Sequence, residues 1–302
     1  MSFVKMKVKP EVYIRRLVDL GESFTITLTG STVKVQVDGE KGFKMHSPTD
    51  IPIKELYFVK MVKQFARTQV ECGFLQKVDV SPTNITYFKN SKKARTGFYN
   101  NVVELDVNSA YWNIALEKGY IDKSLYDKGL QMSKITRLVS LGSLATTKQY
   151  IHYDAELNKF EDMGKDYDEV LRSFFFDVSK TLDDMMLECF EMIGYDNVFF
   201  YWVDAFFIKK EYQKQVHEFF ENRGLKLKTK LIKSMYINNE EDKKSAIVYE
   251  DIDFTKTENR LKYLSDSKEF CNLPVKDFTF KSGNTLLLKA ELQQYIDDDR
   301  HK

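Results

Sequence analysis

Val102-Val103-Glu104-Leu105-Asp106-Val107-Asn108-Ser109-Ala110-Tyr111 and Phe199-Phe200-Tyr201-Trp202-Val203-Asp204-Ala205-Phe206-Phe207-Ile208 are the two stretches on which the fold turns. Each reads as a strand of aromatic and β-branched residues, the first ending at Asp106 and the second folding back at Asp204. An ionised carboxylate in such surroundings is costly unless a cation compensates it, so two of them on neighbouring strands read as a magnesium site. Asp106 has a plainer reading as well: an Asp just ahead of a helix is a common N-terminal cap. Asp204 lacks the Gly or Asn that usually follows a hairpin-tip Asp.

Working outward, Ser109 to Lys118 is expected to be a helix stopped by Gly119, followed by a second helical run around 131–148. Val170, Leu171, Phe174, Phe175, Val178, Leu182, Met185, Met186, Cys189, Phe190 and Ile193 then follow the i, i+3, i+4 rhythm of a long helix closed by Gly194. Val198–Tyr201 and Ala205–Ile208 form a hairpin, Lys209–Asn222 a helix ended by Gly224, and Leu225–Leu231 a last strand. With the 131–148 run set aside, the order is β-α-β-β-α-β, a split β-α-β antiparallel sheet with helices on one face. Upstream, Phe24, Ile26 and Leu28 alternate into a Gly30-Ser31 turn and return as Val33, Val35 and Val37, a hairpin followed by a helix over about 53–70. Ser81–Thr96 is polar and turn-rich, with Lys89, Lys92, Lys93 and Arg95, and marks a domain boundary.

At 302 residues, 43% of them hydrophobic, with 17 Tyr and 23 Phe, the chain has material for a full core and two or three subdomains. Its 46 Lys and Arg against 45 Asp and Glu leave no global field for polyanions, so nucleic-acid affinity must come from local clusters. The densest is Arg223, Lys226, Lys228, Lys230 and Lys233, whose alternation gives a strand with a lysine face, set against a plain solvated edge as its other reading. Cys72, Cys189 and Cys271 lack CxxC spacing, which favours a reducing cytoplasm over a disulfide framework or zinc site. The first residues have no signal-peptide core, and no run is long enough to span a membrane. His46, His152, His217 and His301 share no ligand spacing.

Asp106-Val107-Asn108-Ser109-Ala110-Tyr111 resembles the Asp-x-x-Ser-Leu-Tyr palm signature of family-B DNA polymerases. Gly142-Ser143-Leu144-Ala145-Thr146 stands where that family has its fingers motif, with Lys134 and Arg137 earlier on the same helix. Tyr201-Trp202-Val203-Asp204 is similar to the Tyr-x-Asp-Thr-Asp hairpin, with Trp202 at the first Asp, and Lys233-Ser234-Met235-Tyr236 is similar to the Lys-x-Tyr motif that holds duplex. The resemblance covers residues 99–236 and follows the family's motif order.

With the hairpin reading of the N-terminus, an α+β fold is expected: a β-rich N-terminal domain (1–98) outside the resemblance, a polymerase-like palm (99–236) with a small fingers insertion near 131–148, and a small thumb-like C-terminal region (237–302). The resemblance implies template-directed addition of deoxynucleotides to a primer 3′-hydroxyl by a two-metal mechanism, without proofreading, in a reduced phage-type enzyme acting in the host cytoplasm. Asp106 and Asp204, with the backbone of Val107, would hold two Mg2+ ions, for which Mn2+ is expected to substitute. Ser109, Ala110, Tyr111, Lys134 and Arg137 would bind the nucleotide, Tyr111 crowding a 2′-hydroxyl, with Lys148 a further triphosphate candidate. Arg223, Lys226, Lys228, Lys230, Lys233 and Tyr236 would meet the primer-template or single-stranded DNA. A primase or template-independent terminal transferase on the same palm is the enzyme alternative. A catalytically inactive palm that binds nucleic acid as a replication or virion accessory is the other.

Overall fold

A computed structural model describes residues 3–47, 51, 53–80, 85, 97–240, 243–249, 253, 256, 258 and 275–277. The chain begins β1 (Phe3–Lys5), α1 (Pro10–Asp19), β2 (Phe24–Thr29), β3 (Thr32–Val37), β4 (Phe43–His46) and α2 (Ile53–Glu71). It continues β5 (Gly97–Val107), α3 (Ala110–Glu117), α4 (Lys123–Leu130), α5 (Lys134–Gly142), β6 (Lys148–Asp154), β7 (Lys159–Asp166) and α6 (Glu169–Ile193). It closes with β8 (Val198–Trp202), β9 (Ala205–Lys209), α7 (Gln213–Glu221), β10 (Leu227–Glu240), β11 (Lys243–Tyr249) and β12 (Val275–Asp277). The protein is α+β, and two compact units divide it: Met1–Val78 with Asp127–Phe175, and Asp79–Tyr126 with Phe176–Phe280.

The first unit carries a mixed sheet in the order β1-β4-β3-β2-β6-β7. Phe24, Ile26, Leu28, Val33 and Val35 alternate onto one face, where they bury against Ile14 and Leu17 of α1 and against Ile151, Tyr153 and Phe160. Pro10 opens α1 and Glu11 sits in its first turn, both suited to a helix N-terminus. Beside the sheet, α5 is fastened to α2: Ser133 caps α5 by accepting from the Thr136 amide at 3.1 Å and donates to Glu55 at 3.0 Å. Lys63 of α2 donates to the Ser143 carbonyl at 3.3 Å. The insertion is therefore larger than the expected 131–148 helix. Residues 127–175 supply α5, β6 and β7 whole, with the end of α4 and the start of α6, and β6 pairs with β2 from Phe24↔Tyr153 to Thr29↔Lys148.

The second unit holds the sheet β12-β11-β10-β5-β9-β8, all of whose pairs are antiparallel. Taken as strands one to four of the β-α-β-β-α-β series, β5, β8, β9 and β10 stand in the spatial order four, one, three, two, the split β-α-β arrangement expected from the sequence. Helices cover one face of this sheet. Val103, Leu105 and Val107 are fully buried on it, and Phe190 of α6 packs on Tyr201 and Phe206 at 5.3 and 5.6 Å. Phe220 of α7 meets Phe206 at 5.8 Å. Two carboxylates inside α6 are answered by donors: Asp177 accepts from the Tyr120 hydroxyl at 2.7 Å and pairs with Lys118 at 3.1 Å, and Asp183 accepts from the Tyr201 hydroxyl at 3.3 Å. Burial, then the bond to Asp177, raises the Tyr120 hydroxyl pKa, so it stays a donor.

Two elements extend this unit beyond expectation. β10 runs to Glu240 rather than Leu231, and β11 pairs with it from Ser234↔Tyr249 to Glu240↔Lys243, so residues 237–240 and 243–249 continue the sheet. The passage holding Lys89, Lys92, Lys93 and Arg95 lies outside the described residues, as do Cys271 and His301.

Candidate active site

β5 is the middle of the second unit's sheet and brings Asp106 to its end. Register pairs Asp106 with Ala205 of β9 on one side and Lys228 of β10 on the other. Residues directly opposite one another share a face, so Val102, Glu104 and Asp106 lie away from the helices together with Ala205, Phe207, Lys228, Lys230 and Ile232. Farther along this face, Val102, Phe200, Phe207 and Ile232 bury one another in a small cluster, so Asp106 stands at the end of a face that turns apolar.

Asp204 belongs to the two-residue loop Val203-Asp204 that joins β8 to β9. The Val107 amide donates to the Asp204 carbonyl at 2.9 Å, fastening the hairpin tip to β5 immediately beyond Asp106. Asp204 thus directly precedes Ala205, the residue opposite Asp106. Val203 has φ 58°, a left-handed conformation that a β-branched side chain tolerates poorly. Such strain costs on the order of 1–3 kcal/mol, and it sits beside a half-buried carboxylate.

The capping role for Asp106 is excluded. Asp106 is a strand residue, and the N-cap of α3 is Ser109, at φ 52° and ψ 36°, whose carbonyl accepts from Trp112 and Asn113 at 3.0 Å each. The Asp106 carboxylate, half-buried, has no hydrogen bond and no ion pair among the described residues, although Lys228 is directly across the strand. Among the described residues no group of three or more His, Cys, Asp or Glu could by itself hold a metal. A pair of carboxylates still suits Mg2+, which is usually bound by one or two carboxylates with substrate phosphates and water completing the octahedron.

Near the pair, Ala110 is buried, Ser109 and Tyr111 are half-buried, and all three follow directly from the end of β5. Asn113 donates to the Asn108 carbonyl at 3.0 Å and accepts from Tyr126 at 2.6 Å, holding the turn between β5 and α3. Lys134 and Arg137 lie on α5 in the first unit. Lys134 is exposed, whereas Arg137 donates to the carbonyls of Met132 and Gly129 at 2.9 and 3.3 Å and so ties down the turn before its own helix.

On β10, Lys228, Lys230 and Lys233 are exposed, and Lys226 precedes the strand, its carbonyl accepting from Asn108 at 2.8 Å. Arg223 is committed to the protein: it pairs with Glu188 at 2.5 Å and its guanidinium lies 3.7 Å over the Phe219 ring. Tyr236 packs its ring on Phe98 at 4.9 Å. The residue that the sequence reading passed over is Glu104, only 5% exposed and on the same face as Asp106. Its signal was the two-residue spacing from Asp106 in an otherwise apolar strand.

Comparison with protein-family models, curated proteins and solved structures returns no match. No helix among the described residues is long and apolar enough to cross a membrane.

Proposed function

We propose that the chain is a metal-dependent nucleotidyltransferase that adds deoxynucleotides to a DNA primer, with Asp106 and Asp204 as the catalytic carboxylates. One observation carries the reading: a half-buried aspartate without a hydrogen bond or ion pair among the described residues stands at the end of β5, and the amide of the next residue, Val107, donates to the carbonyl of a second aspartate in a strained hairpin loop. The motif order of the polymerase resemblance supplies the reaction class. Divalent ions bound there would lower the pKa of the attacking hydroxyl and neutralise the leaving pyrophosphate. Asp106 and Asp204 would orient those ions, Tyr111 would lie under the incoming sugar, and the lysines of β10 would meet the nucleic-acid backbone.

The test is an extension assay with Mg2+ or Mn2+, offering primed template, single-stranded DNA and ribonucleotides in parallel. Metal-dependent growth of the primer by deoxynucleotides supports the reading. Products made without a primer place the chain with primases or terminal transferases, and tight DNA binding without synthesis marks an inactive palm. The last reading draws support from Arg137, whose guanidinium is turned to the protein's own carbonyls.

A further inference from the structure

The sheet of the first unit has two faces of opposite character. Phe24, Ile26, Leu28, Val33 and Val35 form the buried one, with α1 packed on it. Alternation puts Thr25, Thr27 and Thr29 of β2 on the other face, and register carries that face across the sheet. Thr27 stands opposite Lys34 of β3 and Tyr150 of β6, Lys34 opposite Met45 of β4, and Met45 opposite Lys5 of β1. Two contacts bind the β1 end of this face together: the Lys34 ammonium lies 4.1 Å over the Phe43 ring, and Phe43 stacks on Phe3 with centroids 6.0 Å apart. Phe3 is 45% exposed, Lys5 is exposed, and Lys34, Phe43 and Tyr150 are half-buried. The Tyr150 hydroxyl makes no hydrogen bond among the described residues. The strands β1 to β4 contain no Asp or Glu at all, so no carboxylate on them answers Lys5 or Lys34. Acidic groups collect instead at the far edge, where Asp166 pairs with Lys148 and Glu161 stands opposite His152.

We infer that this face binds a single strand of DNA, with bases stacked on Phe3, Phe43 and Tyr150 and phosphates met by Lys5 and Lys34. Rings interleaved with ammonium groups match a polymer that offers a π-face and a phosphate at every step, whereas a duplex keeps its base faces inside the stack. From β4 to β6 is three strand spacings, about 14 Å. The rings of Phe43 and Tyr150 therefore suit separate bases of an extended strand rather than one nucleotide, and the threonines between them leave a low path from one ring to the other. The choice of DNA as the strand rests on the nucleotidyltransferase reading, whereas the face of rings and lysines does not. It lies in the first unit, apart from the sheet that carries Asp106 and Asp204.

The experiment is photocrosslinking of the full chain to single-stranded oligothymidylate carrying 5-bromouracil, without divalent ions, with the attachment points read by mass spectrometry. Fluorescence anisotropy with the same oligonucleotide, and with an abasic one of equal length, measures affinity in parallel. Crosslinks should fall on Phe3, Phe43 or Tyr150, and the base-bearing strand should bind about fivefold or more tighter than the abasic one. Phe43→Leu and Tyr150→Leu, which keep apolar bulk and remove the ring, should each abolish the crosslink at their own position and weaken binding by about fivefold or more. Should those variants misfold, the crosslink positions in the parent chain and the abasic comparison decide the matter without them. Crosslinks confined to other residues, abasic strand bound as tightly as oligothymidylate, or parent affinity in folded Phe43→Leu and Tyr150→Leu chains would each overturn the inference. Crosslinks on this face in a chain that makes no DNA uphold the inference while the catalytic reading falls, and synthesis without such crosslinks does the reverse.

Discussion

At Val203 the backbone adopts a conformation suited to glycine, in the loop that carries Asp204. Val203→Gly should relieve the strain at some cost in chain entropy, for a net gain of about 1 kcal/mol read as a higher urea midpoint. If the strain serves to aim Asp204, the same variant should lose synthesis while gaining stability. Asp106 makes the opposite kind of test: its carboxylate makes no hydrogen bond or ion pair among the described residues, so Asp106→Asn should leave the melting temperature unchanged or slightly higher. Millimolar Mg2+ should raise the melting temperature of the parent chain, because a ligand bound only by the folded state stabilises it, and should do so less for Asp106→Asn. Both carboxylates stood out in the sequence because each is framed by apolar residues, Asp106 near the end of a strand and Asp204 at a hairpin tip. The pairing of their strands did not, since the register of β5 on β9 joins residues a hundred positions apart.

Among the elements, α6 was legible throughout, since its apolar positions repeat at helical spacing and Gly194, at φ 81°, ends it. Its buried Cys189 has a thiol pKa pushed up to about 12, chiefly by burial. Alkylation at pH 8 followed by mass spectrometry should therefore modify exposed Cys72 and spare Cys189 until the protein unfolds. The sign for stability follows: the unfolded thiol ionises near its ordinary value while the folded one stays protonated. The contribution is therefore complete below about pH 9 and is lost as pH rises toward 12. Far-UV circular dichroism melts across that window should show a fall.

The elements missed have physical reasons too. β6 and β7 carry few apolar residues, β7 is an edge strand with Phe160 its one buried position, and β2, the partner of β6, is more than a hundred residues upstream. α1 did leave a local signal, Pro10 followed by Ile14 and Leu17 on one side. The Lys226, Lys228, Lys230 alternation correctly marked a strand with a lysine face. That Lys228 and Lys230 lie opposite Asp106 and Glu104 needed the pairing partner.

For the whole molecule, the chain leaves its first unit at Val78, returns to it from Asp127 to Phe175, and then completes the second. Hydrogen exchange should reveal this interleaving: Phe24→Ala should lower protection of β2 and β6 together and leave β5 and β9 near parent values, because a cavity in one core loosens the strands that share it. Loss of protection in β6 without β2 would contradict the pairing.

The central claim is that Asp106 and Asp204 ligate the divalent ions of nucleotidyl transfer, and a change of ligand softness tests it most directly. Primer extension by Asp106→Cys should fall by roughly a thousandfold or more with Mg2+, the scale of losing a charge-stabilising group at a reacting centre, and recover in part when a thiophilic ion such as Cd2+ replaces it. Extension by Asp106→Cys at the parent rate with Mg2+ would contradict the account.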